Sequence, residues 1–521
     1  MRLILLAFFI ISSSFSQAQE IDVLHYKFAL ELNDKDDSIN GLAAVTFVKK
    51  VSDQKLSLDL VSVNKQGKGM YVYLVTSDAA SAVKLSFSQT ADKIIISAPQ
   101  IKKDDTATIY VAYKGIPADG LIISKNKYGD RTFFADNWPN RAHNWIPCND
   151  RPDDKAMFEF RVTAPAHYSV ISNGIKNGEK ILPDGTKRTV WTENTPLPTK
   201  VMAIGVARFA TKTFADSPSD IPVSAWVYPQ DSTKGFYDYA LAPDILKFFS
   251  NYIAPYPYKK LANVQSKTIF GGMENASAIF YAENSVTGDR SSEDLLAHEI
   301  AHQWFGDMAS EKSFAHLWLS EGFATYLTNF YFEKKYGKEA AAERWKEERE
   351  QVIAFSKQSS SPVVDSTKNL MSLLNANSYQ KGAWVLRMLR NEVGDTTFQK
   401  IIQTYYHQYK GSNADSKDFE AVAEKVSGKE LTWFFDQWLY QNEIPRLAIT
   451  YSKTSEGIRM HIKQRQKHPF QFILPVSVES NGKLKKILLR ITKETESFLI
   501  GQDRDKRIID LDYNLLFEEI K

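Results

Sequence analysis

Cysteine is almost absent from this chain: Cys148 is the only one in 521 residues. A single thiol excludes an intramolecular disulfide, and buried packing is the role expected of it. Long apolar runs are also missing. No stretch reaches the roughly twenty residues that a membrane-spanning helix needs, so no transmembrane segment is expected. Nor is there an excess of charge of one sign. The 65 Lys and Arg against 62 Asp and Glu leave a formal charge of +3, which provides no general field for nucleic acid or anionic lipid. The local basic run at 463–467 reads as a solvated strand or loop. Internal repeats, low-complexity segments and long linkers are lacking as well, so the parts of the chain are expected to pack as one body.

What is present suits a large globular protein. A hydrophobic content of 43% with 12% aromatics excludes disorder, and 521 residues exceed what one core supports, which points to three or so domains. Residues 1–18 fit a secretory signal peptide: Met1-Arg2, an apolar run from Leu3 to Ile11, then small residues up to Ala18, with Ser16 and Ala18 suited to cleavage before Gln19. At about nine residues the apolar run is too short for a membrane anchor. No cysteine follows it, so a lipoprotein anchor is not suggested, and the mature protein is expected to be secreted or periplasmic.

The expected fold is multidomain α+β. Residues 19–215 alternate apolar and polar in short runs such as Tyr26 to Leu30, Lys93 to Ile96 and Thr108 to Val111, separated by Asn, Asp, Gly and Pro, and read as a β-sandwich-like domain. Within 216–440, Val223 to Tyr228 and Ala262 to Phe270 read as strands and Lys338 to Phe355 and Gly382 to Val393 as helices, a mixed α/β domain. Residues 441–521 return to strands, Leu447 to Tyr451, Ile458 to Ile462, Phe472 to Val478 and Lys485 to Ile491, with Asn481-Gly482 as a hairpin turn, and form a small C-terminal β-domain.

The chemistry is concentrated between Ala297 and Tyr326. His298 and His302 are four apart, so on a helix both imidazoles face one point, with Glu299 pointing at the same region. The helix is supported by Ser291 and Ser292 as hydroxyl caps, by Glu293 and Asp294 in the first turn and by apolar Leu295, Leu296, Ile300 and Ala301. HExxH alone also fits an ordinary amphipathic helix. What separates the two readings is Trp318 to Ala324, a second helical stretch whose Glu321 lies nineteen residues after His302 among apolar neighbours. Two imidazoles and one carboxylate suit one Zn²⁺ and leave a fourth position open for water, which is the arrangement of a catalytic site. Glu299, one helical step from the ligands, fits the general base that takes a proton from that water and hands it to the leaving amine.

His298-Glu299-Ile300-Ala301-His302, the Trp318 to Ala324 segment and Gly271-Gly272-Met273-Glu274-Asn275 together resemble the zinc aminopeptidase N family, gluzincin metallopeptidases related to leukotriene-A hydrolase. Tyr379-Gln380-Lys381-Gly382-Ala383 resembles that family's tyrosine motif and Phe435 to Leu439 its closing helix, so the likeness spans most of 130–445. It implies a thermolysin-like catalytic domain, hydrolysis of the N-terminal peptide bond of peptide substrates, Tyr379 as the donor to the developing oxyanion and Glu274 as the anchor of the substrate α-ammonium. The family's glycine-rich segment runs as a strand edge beside the peptide, so Gly271, Gly272, Met273 and Asn275 join Glu274 as substrate-binding candidates. Family members often continue into a large helical C-terminal domain, and this sequence reads as a short form.

Several positions depart from the family pattern. Trp138 stands where a second amine-binding Glu or Gln is usual, and Asp136 reads either as a compensating carboxylate or as a turn residue. Asp307 and Ser320 occupy positions where Asn is frequent, and Gln380 one where Glu is. His143, His167 and His316 show no ligand spacing and read as structural or surface residues. Three other readings share the motif: a zinc endopeptidase without amine anchor, an epoxide hydrolase-like branch, and a catalytically inactive peptide-binding scaffold, which would show damaged ligands. Oligomeric state and first-subsite preference have no sequence signature.

Overall fold

Alternation of side chains along the first long strand already sets the layers. In Ile21–Glu31 the buried residues are Ile21 and Val23, then Tyr26, Phe28 and Leu30. The phase change coincides with a bulge in its pairing with Ile39–Lys49, between Val23 and His25. The computed structural model describes residues 20–77, 83–218, 220–480, 483–502, 506–510 and 512–520. The expected signal peptide at 1–18 and the Asn481-Gly482 turn lie outside them.

The N-terminal part is β-rich, as expected. A seven-stranded sheet runs in the order Ile175–Ile181, Thr186–Leu197, Ala156–Pro165, Ile21–Glu31, Ile39–Lys49, Thr106–Ile116 and Gly69–Thr76. Its neighbours pair antiparallel except Ile21–Glu31 with Ala156–Pro165, which is parallel. A four-stranded sheet (Ser169–Ser172, Ile204–Ala207, Arg131–Ala135, Leu121–Lys125) and a three-stranded one (Lys55–Asp59, Lys93–Ser97, Phe87–Gln89) contribute to the same apolar core. Cys148 is fully buried in that core.

The central part begins with a five-stranded sheet of β1 (Ala210–Thr213), β2 (Val223–Val227), β3 (Leu261–Ser266), β4 (Gly272–Met273) and β5 (Ala278–Ala282), in the order β1-β2-β3-β5-β4. The expected strand from Ala262 to Phe270 stops at Ser266. The buried carboxylate of Asp136 turns the chain there, its Oδ2 accepting from the Thr268 hydroxyl at 3.0 Å and the Ile269 N–H at 2.9 Å. Four helices then matter for the site: α1 (Glu293–His302), α2 (Trp318–Tyr336), α3 (Lys338–Ser356) and α4 (Gly382–Val393).

The C-terminal strands form a four-stranded sheet (Thr495–Gly501, Gly457–Gln464, Arg446–Thr454, Glu518–Ile520) and a three-stranded one (Lys483–Ile491, Phe472–Ser480, Lys506–Ile509). Their buried side chains, among them Leu447, Met460, Leu474 and Val476, belong to one cluster with the helices of the central part, and Trp438 packs on Phe470 at 4.9 Å. Sheets this small bury too little on their own and share their neighbour's core. Three sequence regions thus fold around two apolar cores. A buried ion pair, Lys200 Nζ to Glu311 Oε1 at 2.5 Å, joins the N-terminal part to the strand that follows α1. No helix of the described residues is long and apolar enough to cross a membrane.

Candidate active site

Helix α1 starts with Glu293 and Asp294 in its first turn, where carboxylates meet the positive end of the backbone dipole. Ser292 stands at the N-cap, but its hydroxyl makes no capping bond, unlike the cap expected from the sequence. Glu293 is instead held by the far end of α2: Tyr331 Oη at 2.7 Å, Lys335 Nζ at 2.6 Å and Tyr336 Oη at 2.6 Å. These bonds tie the start of α1 to the last turns of α2, while Leu296 and Ile300 of α1 share a core with Phe323 and Leu327 of α2. With both helices so fixed, His298 and His302 from one meet Glu321 from the other.

The geometry of the three is that of a ligand set. One candidate donor atom from each lies within 4.8 Å of the others. The two imidazole Nε2 atoms are 3.0 Å apart and Glu321 Oε2 is 3.2 Å from each. His302 Nδ1 faces the Phe305 carbonyl oxygen at 3.1 Å and the Ser320 hydroxyl at 3.1 Å. A carbonyl only accepts, so Nδ1 carries the proton and Nε2 presents its lone pair inward. Three electron-rich atoms aimed at one another in a buried place fit a shared cation, and two imidazoles with one carboxylate fit zinc. Ser320, one of the departures from the family pattern, is thus packed under a ligand and leaves the set intact.

Glu299 is buried, and burial pushes its carboxyl well above the ordinary range, with His302 acting in the opposite direction. It lies directly against Gly272: a Cβ at that position would sit 2.3 Å from Glu299 Oε1. Glycine there lets the edge strand pass over the candidate base without displacing it.

Tyr379 sits in a π-helical turn, Asn377–Lys381, that leads into α4. Its ring lies 6.0 Å from that of His298 at an interplanar angle of 16°. Burial raises the phenol well above its usual range, so the hydroxyl stays protonated as a donor.

Gly271, Gly272, Met273 and Glu274 line the cleft with the triad of His298, His302 and Glu321 and with Glu299 and Tyr379. Strand β4 is the outer edge of its sheet, paired only with β5 on one side (Gly272 opposite Tyr281, Met273 opposite Phe280). Glu274 is 5% exposed, and its Oε1 has no partner among the described residues. Burial raises this carboxyl and His302 opposes the shift. The main chain of Glu274 is pinned by Gln303, whose Nε2 donates to its carbonyl at 2.7 Å and to Asp307 Oδ2 at 3.0 Å.

Two expectations need correction. Asn275 is fully buried and does not line the cleft. Asp136 does not line it either. Its oxygens are taken by Arg141 at 2.6 Å, Thr268 and Ile269, so it shapes the approach to Gly271 and has no oxygen free for a substrate amine. On that side the wall is Trp138, 2% exposed, wedged edge-on between Phe270 at 5.9 Å and Phe314 at 6.0 Å. His143 pairs with Asp150 at 2.7 Å and His316 with Ser416 at 2.8 Å, structural roles away from the triad.

The cleft has a volume of about 390 Å³ and extends beyond these residues. Asp294, Leu295, Thr325, Thr328, Arg344, Glu348 and Leu374 line its remaining part. Nothing in the sequence marks them, because polar residues on an exposed-looking helix such as α3 read as a solvated face.

Comparison with known proteins agrees with this geometry. The Peptidase M1 N-terminal domain matches residues 23–201 and the Peptidase family M1 domain matches residues 237–438. A probable aminopeptidase 2 from Sulfurisphaera tokodaii is 30% identical over 88% of this chain and 58% of its own length. Glutamyl aminopeptidase from Rattus norvegicus is 28% identical over 61% of this chain and 35% of its own. The chain therefore spans little more than half, or less, of these relatives. Among solved structures, Legionella pneumophila aminopeptidase A in complex with aspartic acid superposes with a TM-score of 0.84 at 18% identity, covering 98% of this chain and 60% of that one. An M1 zinc metallopeptidase mutant from Deinococcus radiodurans gives 0.69 at 22% identity over 82% of this chain and 96% of its own, a likeness of fold.

Proposed function

This chain belongs to the M1 peptidase family, and from that premise we propose that it is a zinc-dependent aminopeptidase that releases the N-terminal residue of peptides. The observation that carries the reading is the placing of Glu274. A buried carboxylate, one of whose oxygens has no partner among the described residues, stands just past the end of an edge strand, in the same cleft as the His298, His302 and Glu321 triad. A substrate α-ammonium would supply the missing partner and halt the chain with its first carbonyl at the triad. The curated relatives named as aminopeptidases support the same activity.

Bound at the triad, zinc would polarise the carbonyl and lower the pKa of a water toward about seven. The residues of the chain do the rest. Glu299 takes the proton of the attacking water and returns it to the departing amine. The Tyr379 hydroxyl donates to the carbonyl oxygen as it gains charge. The free edge of Gly272-Met273 pairs with the peptide backbone and fixes its register. Residues 1–18 support a secreted or periplasmic location for the mature enzyme.

The test is one peptide carrying either a free or an acetylated N-terminus, followed by mass, with added zinc and with chelator. Stepwise loss of single residues from the free form only, abolished by chelator and restored by zinc, is the expected result. Internal cuts in both forms would replace it with an endopeptidase, and absence of cleavage would leave a peptide-binding scaffold.

A further inference from the structure

The cleft continues past the triad along α1. The edge strand runs along that helix from its start to its end: a Cβ on Gly271 would lie 3.7 Å from Leu295 Cδ1, one on Gly272 would meet Glu299, and the Glu274 carbonyl accepts from Gln303 Nε2 at 2.7 Å, so Glu274 stands at the His302 end. Asp294 and His302 are eight residues apart, about 12 Å along the axis. A peptide held by its amine at Glu274, with its first carbonyl at the triad, must therefore send the next residue toward the Asp294 end.

That end is a built polar pocket. Arg344 and Glu348, one turn apart on α3, reach it together with Thr325 and Thr328 of α2 and with Asp294. Glu348 is 8% exposed; its Oε1 accepts from Asn329 Nδ2 at 2.8 Å, while its Oε2 is buried without a partner among the described residues. Arg344 makes no ion pair with it. Its Nε donates to Asn329 Oδ1 at 2.7 Å, its guanidinium lies over the Phe332 ring at 4.5 Å, and its nearest acid is Asp294 at 3.6 Å. Burial raises the Glu348 carboxyl to about 7, with the Asn329 bond and the charges of Arg344 and Arg387 opposing. Asp294 faces the Arg344 guanidinium, so Glu348 is the carboxyl left without an ion-pair partner among the described residues, and a cation beside it would favour its charged form.

We propose that this pocket selects the side chain of the residue following the scissile bond, and that it favours a cationic one, lysine or arginine, bound to Glu348 Oε2. The inference rests on the aminopeptidase reading, since that reading places the second residue here. A cation brought to a buried carboxylate is stabilised by charge and hydrogen bond together, and an acidic side chain at the same place is repelled.

The test is a set of dipeptide amides, Ala-X-NH₂ with X = Arg, Lys, norleucine, Gln or Glu; the amide leaves Arg344 no terminal carboxylate to bind. The kcat/KM for Arg and Lys should exceed that for norleucine by about ten-fold or more, with Glu the poorest, as one charge-assisted bond to a buried carboxylate implies. In the Glu348→Gln variant the Arg-to-norleucine ratio should fall toward one. A flat profile in the unmodified enzyme, or a ratio unchanged in the variant, would overturn the subsite and leave the aminopeptidase standing. Hydrolysis of none of the five would overturn the activity and the subsite together.

Discussion

The backbones of Gly322 and Gly382 touch: a Cβ on Gly322 would lie 2.9 Å from both the Cα and the carbonyl carbon of Gly382. Gly322 follows the ligand Glu321 on α2, and Gly382 opens α4 three residues after Tyr379. Two glycines face to face let the helices approach at backbone distance, and this approach is what brings the tyrosine turn to the triad of His298, His302 and Glu321.

Gly382→Ala should therefore push the turn outward while leaving the three ligands in place. A shift of that kind near a reacting centre costs up to about a hundred-fold in rate. We expect kcat to fall by ten-fold or more on this scale, with zinc content per chain, by elemental analysis, unchanged. An unaltered kcat would show that the turn follows the methyl group without losing its aim.

Removing only the donor separates chemistry from packing. Tyr379→Phe keeps the ring against His298 and should lower kcat by about 10²–10³, the loss seen when one donor to a developing oxyanion is deleted. KM and zinc content should hold. A loss of zinc in this variant would mean that the ring supports the ligand and that its hydroxyl is not the active part.

The Lys200 and Glu311 pair gives a prediction of stability. Both side chains are at most 1% exposed. Lys200→Met leaves the buried Glu311 without its ion-pair partner and should cost about 3–5 kcal/mol in urea unfolding. Lys200→Met combined with Glu311→Leu should recover most of it, because the uncompensated charge is gone. Equal losses in the single and double variants would show that packing, and not charge, holds this junction.

Asp154 should make stability pH-dependent. Burial raises its carboxyl from 3.8 to about 7, against the opposing bonds from Asn149 and from the Val23 N–H. The folded protein thus holds a proton that the unfolded chain releases, so this group's stabilising contribution is complete below about 3.8 and is lost as pH rises to about 7. The Tm difference between Asp154→Asn and the unmodified protein should shift in favour of the variant as pH is raised from 5 to 7, then level off. A difference independent of pH would mean that Asp154 is ionised throughout.

Legibility followed sequence distance. His298, Glu299 and His302 were readable because a four-residue spacing on one helix dictates their common face. The helices from Lys338 and Gly382 followed from periodicity and appear at or near the expected bounds, while the alternation at Thr108 to Val111 lies inside a longer strand, Thr106–Ile116. Ala262 to Phe270 was overrun because its stop is imposed by Asp136, more than a hundred residues earlier. Asn275 sits beside Glu274 in sequence, yet past the end of β4 only Glu274 lines the cleft, and no local pattern marks which of the two does. Arg344 and Glu348 carried no signal, since a polar pair four apart on a helix looks like any solvated pair until another helix closes over it.

By itself, then, the sequence determined the donor types, the spacing along α1, the β-rich beginning and end, and the resemblance to a family of metallopeptidases. Tertiary structure alone decided which distant residues share the cleft. It decided between the two readings of Asp136 in favour of a brace at a turn, merged the C-terminal strands into the central core, and opened a charged pocket beyond the triad. The physical reason is that periodicity and capping act within a few residues. Which side chain reaches a ligand is settled by burial and close backbone approach, as at Gly322 and Gly382, between segments far apart in the chain.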